Sequence, residues 1–195
     1  MRRLLKQTAS LLARAFVLPL ALIAGFGRFH QGFVFGAQLL APFPGLIGSY
    51  LRVAYYKQTL DHVGSDCHIA FGSYFAHPEA SIGTGVGIGA YSVLGHVDLA
   101  DRTRIATGVQ ILSGAHQHRR NAQGRVTDEG RIPRRLKIGR DCWIGASATI
   151  MGNLGDEVTV AAGSVVFQDV PSGATIAGNP TRLVSLARAE KASTS

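Results

Sequence analysis

The chain has 195 residues, with 20 Lys and Arg against 12 Asp and Glu, a formal charge of +8 and 2 cysteines. That is room for about one domain and an extension, and two cysteines exclude a disulfide framework or a zinc-finger pattern. The cations form no single long run and no nucleic-acid-binding motif accompanies them, so their partner is expected among cofactor phosphates or membrane lipids rather than nucleic acid.

Residues 1–60 are strongly apolar. Arg2, Arg3 and Lys6 lead into the uncharged run from Ala15 to Gly27, and a second run from Gly32 to Leu51 is broken by Pro42 and Pro44. The first run is short for a membrane span and the second carries two prolines. The expectation is a helical segment that lies on or dips into a bilayer, its cations with Arg52 and Lys57 facing an anionic cytoplasmic leaflet. A hydrophobic cap on the following domain is the alternative. A cleaved signal peptide is disfavoured, because no clean small-x-small site follows the apolar core.

From Ile82 to Pro180 the chain repeats every six residues. Aliphatic residues recur at Ile82, Ile88, Leu99, Ile105 and Ile111, then at Ile138, Ile144, Ile150, Leu154, Val160 and Val166. Small residues often follow them, and a second small or branched position comes four residues later, including Val86, Ser92, Thr103, Val109, Cys142, Ala148, Val158 and Ser164. Short strands joined by tight corners explain this: three strands make one triangular coil, and stacked coils pair each strand with its equivalents while the aliphatic positions form one column. The spacing predicts a mainly β fold, a parallel β-helix over residues 61–182 of five or six coils. An ordinary sandwich would alternate with period two and lose the six-residue phase. Two phase slips are expected, between Ile88 and Val93 and between Ile150 and Leu154. Residues 183–195 have helix-forming composition and are expected to cap the last coil as a short C-terminal helix.

Residues 115–135 break the repeat, beginning Ala115-His116-Gln117-His118-Arg119-Arg120 and carrying six arginines. A loop this long in a tightly wound stack points to function. His116, nearer the repeat frame, is the candidate general base, since an imidazole of ordinary pKa can take a proton from an attacking hydroxyl. His118 is the candidate acceptor-side residue. Metal binding competes for the pair, with His96 as a third ligand from another coil. The single residue between His116 and His118 disfavours it, so no metal is expected.

These residues resemble the hexapeptide-repeat acyltransferases, with galactoside, maltose and nodulation-factor O-acetyltransferases as the nearest likeness, and exopolysaccharide acetyltransferases for the apolar N-terminus. The resemblance covers about Asp61 to Leu183. It is carried by Ser113-Gly114-Ala115-His116, by Ile138-Gly139-Arg140-Asp141-Cys142-Trp143-Ile144-Gly145, by Ala161-Ala162-Gly163-Ser164-Val165-Val166, and by Asp169-Val170-Pro171 with Ala177-Gly178-Asn179-Pro180. It implies a left-handed coil, a homotrimer with active sites between subunits, and acetyl-CoA as donor. His116 aligns with the family's general base and Trp143 with the tryptophan beside the acetyl-CoA arm. Ala146 and Ala162, followed by Gly163, align with positions whose backbone meets the pantetheine, and Arg182 with a basic residue near the nucleotide phosphates. Phe167-Gln168 replaces a Thr-Lys pair, so Gln168 stands at the cofactor end without the cation.

The expectation is an O-acetyltransferase at the inner face of the cytoplasmic membrane, acting on a sugar hydroxyl of a glycan or lipid-linked polysaccharide precursor. Its rivals are acyl transfer from a carrier protein, a non-catalytic β-helical scaffold and a metal-dependent hydratase.

Overall fold

The computed structural model describes residues 2–114, 119–127 and 134–186. Strands mostly two or three residues long wind into a three-sided parallel prism. The first face stacks His62–Val63, Ser81–Ile82, Val97–Leu99 and Leu136–Ile138, and single bridges carry it on to Leu154 and Val170. The second stacks His68–Ile69, Gly87–Ile88, Arg104–Ile105, Trp143–Ile144, Thr159–Val160 and Ala174–Ala177. The third stacks Tyr74–Phe75, Val93–Leu94, Gln110–Ile111, Thr149–Ile150 and Val165–Val166.

The two marked positions of the repeat both point inward. Ile82, Ile88, Ile105, Ile138, Ile144, Ile150 and Val160 are buried, and so are Val86, Thr103, Val109, Cys142, Ala148, Val158 and Ser164. In-register stacking lines each aliphatic residue with its equivalent above, which is why a hexapeptide phase selects this fold. The coil is the left-handed β-helix of hexapeptide repeats.

The small residues after the aliphatic positions sit against the backbone of the next coil, as Gly89 does against Ala106 and Gly139 against Gly155, and the corners beyond them use the left-handed region. Gly85, Gly108 and Gly163 have φ between 68° and 72°. Asp66, Tyr91, Arg102, Asp141, Ser147 and Glu157 hold φ of 52° to 59° in the same left-handed region, at a cost of order 1 kcal/mol each. A backbone ladder offsets that cost: Arg102 donates its N–H to Thr84 O at 2.8 Å and Glu157 to Arg140 O at 2.8 Å.

Two expectations are corrected. Leu94, not Val93, is the buried member of its pair, so the six-residue frame runs unbroken from Ile88 to Leu94. The slip is the shorter step from Leu94 to Leu99, because the register Leu94↔Ile111 fixes which of two adjacent apolar side chains enters the column. The second slip, ending at buried Leu154, is where the sequence puts it. The expected C-terminal helix is not seen over Arg182–Leu186, which form a strand antiparallel to Ala174–Ala177. An open sheet edge at the end of the stack outweighs helix propensity there. Residues 187–195 lie outside the described residues.

The N-terminal segment is helical, as expected: α1 (Arg2–Ile23), α2 (His30–Leu40) and α3 (Gly45–Thr59). α3 closes the first coil. Ile69 donates its N–H to Ser49 Oγ at 3.2 Å, and Phe75 donates its own to Tyr56 Oη at 3.0 Å. Arg52, expected to face an anionic leaflet, is instead buried at 1% exposed, because it donates to the carbonyls of Leu40, Ala41 and Phe43 at and just after the end of α2 and to Ile69 O on the coil. Its guanidinium thus satisfies the last carbonyls of one helix while tying two helices to the prism. Among its described side chains α1 buries only a narrow stripe, Ala13, Val17 and Ala21, and leaves Leu11, Leu12, Phe16, Leu22 and Ile23 exposed. Over Lys6–Ile23 it is long and apolar enough to cross a membrane, with 17% of that window buried, where a core helix would be mostly buried.

Candidate active site

The corner between the third and first faces carries one equivalent residue per coil, two positions after each buried third-face residue: His77, His96, Ser113, Gly152 and Gln168. Stacking makes this a vertical column. His77 and His96 lie ring on ring, with centroids 3.9 Å apart and planes inclined by 21°. Above them Ser113, 4% exposed, accepts a hydrogen bond from the His96 N–H at 3.1 Å. Burial holds the His96 imidazole below its ordinary pKa; Glu79 opposes this and Arg135 adds to it.

The long loop leaves this column at Ser113-Gly114. It contains an antiparallel pair, Arg119–Arg120 with Val126–Thr127. It returns at Arg134, whose N–H donates to Ser113 O at 2.9 Å, and Leu136 then donates to His96 O at 2.9 Å. Arg134 Nη2 donates to both oxygens of Asp169 at 2.8 and 3.0 Å, and Arg135 donates to Asp98 and Asp61. The loop is therefore clamped at its root to the coils on both sides. His116 and His118, the expected base and acceptor-side residue, lie outside the described residues.

The expected cofactor residues gather elsewhere. Trp143 is 63% exposed on the second face, paired with Arg104 and Thr159. Just beyond it, the corner between the second and third faces carries Ala146 and, one coil on, Ala162 and Gly163, where Gly163 donates its N–H to Ala146 O at 2.8 Å. The coils touch closely here: a Cβ on Gly145 would sit 2.5 Å from Ala162 N. Small side chains along this edge expose backbone that a flexible chain can lie against. Arg182, exposed, sits opposite Ala177 at the end of the second face. Gln168 does not join this group; it stands in the loop-root column. The expected cofactor residues thus lie on or beside one corner of the prism, a candidate cofactor edge, and the loop root lies on another, the loop edge.

The cysteines take no part. Burial pushes the Cys142 thiol up, and it donates to Gly155 O at 3.1 Å; burial likewise raises Cys67. A thiol held protonated is a poor nucleophile. A groove of about 490 Å³ runs along the first face beside Ser81, Asp98, Lys137 and Asp156, and among the described residues none of the expected site residues lines it.

His77 and Glu79 were not anticipated as site residues, although the signal is present in the repeat frame: His77 and His96 hold the same position two residues past Phe75 and Leu94.

Comparison with known proteins agrees with this architecture. Residues 135–168 match the model of the hexapeptide repeat of succinyl-transferase. Serine acetyltransferase 2 of Arabidopsis thaliana is 38% identical over 113 residues, which are 55% of this chain and 31% of that protein. The chain therefore spans about a third of the length of that relative. A hexapeptide-repeat acetyltransferase from Vibrio cholerae, solved in complex with acetyl coenzyme A, superposes with a TM-score of 0.63 at 22% identity, over 86% of this chain and 88% of that one. A galactoside acetyltransferase in complex with coenzyme A gives 0.65 at 19% identity, over 84% and 82%. At these identities the structural likeness concerns the fold.

Proposed function

We propose that this chain is an O-acetyltransferase that moves the acetyl group of acetyl-CoA to a sugar hydroxyl of a glycan or lipid-linked precursor. The observation that carries the reading is the loop clamped at the Ser113–Arg134 corner of a hexapeptide coil whose other corner, beside exposed Trp143, carries only the small residues Ala146, Ala162 and Gly163. Acetyl-CoA as donor is supported by the complexes of the two similar structures.

His116, three residues beyond the buried Ser113, is proposed as general base. It takes the proton from the acceptor hydroxyl as the oxygen attacks the thioester carbonyl. Coenzyme A then leaves as the thiol, and no covalent enzyme intermediate is needed. A backbone N–H at the corner would stabilise the tetrahedral oxyanion. His118 is proposed on the acceptor side.

Because the cofactor edge and the loop edge occupy different corners, we propose a homotrimer in which the loop of one protomer meets the Trp143 edge of its neighbour. The exposed face of α1, with Lys6 and Arg14 beside it, is proposed to rest on the inner face of the cytoplasmic membrane. That placement favours a lipid-linked acceptor.

The identity to serine acetyltransferase supports a second reading, in which the acceptor hydroxyl belongs to an amino acid. Thiol release from acetyl-CoA, measured against a panel of glycosides and serine, separates the two. His116→Ala is expected to lower turnover by roughly 10² to 10⁴ with coenzyme A binding retained. Near-normal turnover in that variant would remove His116 from the mechanism.

A further inference from the structure

One cluster at the loop-root corner has no part in the acyl transfer proposed above. His77 follows the third-face strand of one coil, His96 follows that of the next, and Glu79 stands two residues after His77. One ligand atom from each lies within 4.8 Å of the others.

We propose that His77, Glu79 and His96 bind one divalent transition metal of the zinc type. Two imidazoles and one carboxylate, with a coordination position left open, are a donor set that suits zinc, cobalt or nickel far better than magnesium or calcium. The geometry is close to what such an ion requires. His96 Nδ1 lies 3.7 Å from Glu79 Oε2, and two ligands of a tetrahedral zinc at about 2.0–2.1 Å stand about 3.3 Å apart. Glu79, 59% exposed, is free to close that difference, while the two imidazoles, stacked with planes inclined by 21°, have to turn out of the stack for each to point a ring nitrogen at one ion.

The framework is fixed where it needs to be. His77 and His96 sit on successive rungs, held by the Ala76 N–H to Leu94 O bond at 2.8 Å and by Leu136 N–H to His96 O at 2.9 Å. The two imidazoles are therefore presented one coil apart by backbone rather than by flexible chain. His30, the first residue of α2, brings its ring within 5.2 Å of that of His77, so the helical cap overhangs the same spot. A bound ion would join two coils directly beneath the loop root. The set is distinct from the combination with His116 and His118 that the loop spacing disfavours.

The test uses the full-length protein, stripped with chelator and titrated with cobalt(II), following visible absorption, and with zinc by equilibrium dialysis and elemental analysis. One equivalent per chain is expected. Binding should weaken at least about tenfold in His96→Ala and in Glu79→Gln, an exposed change that leaves the packing intact, and should persist in the double variant His116→Ala/His118→Ala. The absence of stoichiometric metal would overturn the proposal, as would undiminished binding in Glu79→Gln or loss of binding in the loop double variant. Thiol release by the stripped protein, assayed in parallel, keeps a failure here separate from a failure of the acetyltransferase reading.

Discussion

Arg134 and Asp169 meet across the point where the long loop rejoins the prism, with one guanidinium nitrogen donating to both carboxylate oxygens. The pair is half-exposed, and such pairs contribute about 0–1 kcal/mol to stability. Its position matters more, because it fixes the return of a loop that begins at Ser113. Arg134→Ala is therefore expected to leave the melting temperature within a few degrees of wild type and to lower kcat about tenfold or more, since small misplacements of a catalytic group cost large factors. Parallel melting and thiol-release measurements check it. A large loss of stability with unchanged kcat would mean that the pair holds the coil and not the loop.

Gly145 lies against Ala162 so closely that any side chain must displace backbone, with Ala162 N at 2.5 Å and Ala161 C at 2.8 Å from a built Cβ. Gly145→Ala should destabilise by about 1–3 kcal/mol. It should also raise KM for acetyl-CoA if the displaced residues form the proposed cofactor edge. Denaturant unfolding and donor kinetics read the two effects. An unchanged KM would detach Ala162 from donor binding.

Asp98 couples acidity to stability. Burial raises its carboxyl, but hydrogen bonds from Arg135 and Ser81 and the charges of Arg135 and Lys137 outweigh this, leaving it below its ordinary value of 3.8. A carboxylate with a lowered folded pKa contributes stability above its unfolded value and loses that contribution as pH falls through the folded one. Wild type should therefore exceed Asp98→Asn in stability at neutral pH, and the gap should shrink as pH drops below about 4. Melting curves of both proteins between neutral and strongly acid pH test the sign. A gap that widens in acid contradicts it.

The outer face of α1 gives the fourth prediction. Full-length protein should float with vesicles rich in anionic lipid, less so at high salt, and Leu12→Asp with Phe16→Asp should cut the bound fraction about tenfold or more. Both side chains are exposed, so the fold should tolerate the change. Protein that remains with the soluble fraction in detergent-free conditions would remove the membrane from the proposal.

Most of the prism was legible in the sequence, because a hexapeptide phase demands one inward aliphatic residue per strand and few other folds repeat that demand. The loop after Gly114 lies where the phase stops. What escaped was decided by pairing between distant residues. Val93 and Leu94 are chemically alike, and only the register with Gln110 and Ile111 separates them. Arg182–Leu186 became a strand because an unpaired edge was waiting at Ala174–Ala177. Of the expected site residues, Ala146 and Ala162 fall on one corner, with Trp143 on the strand just before it. The separation of that corner from the loop root was not legible, since corners alternate around the prism while the sequence presents them in one line. His77 and His96 become neighbours only when two coils are laid on each other.

Leu136 pairs with Val97 and Ile138 with Leu99 as though nothing intervened, although the preceding third-face strand ended at Ile111. The scaffold thus closes over the excursion, and its architecture is indifferent to the length or wording of the inserted text. Such a seam lets an insert be exchanged while the stacked coils on either side of it are inherited intact.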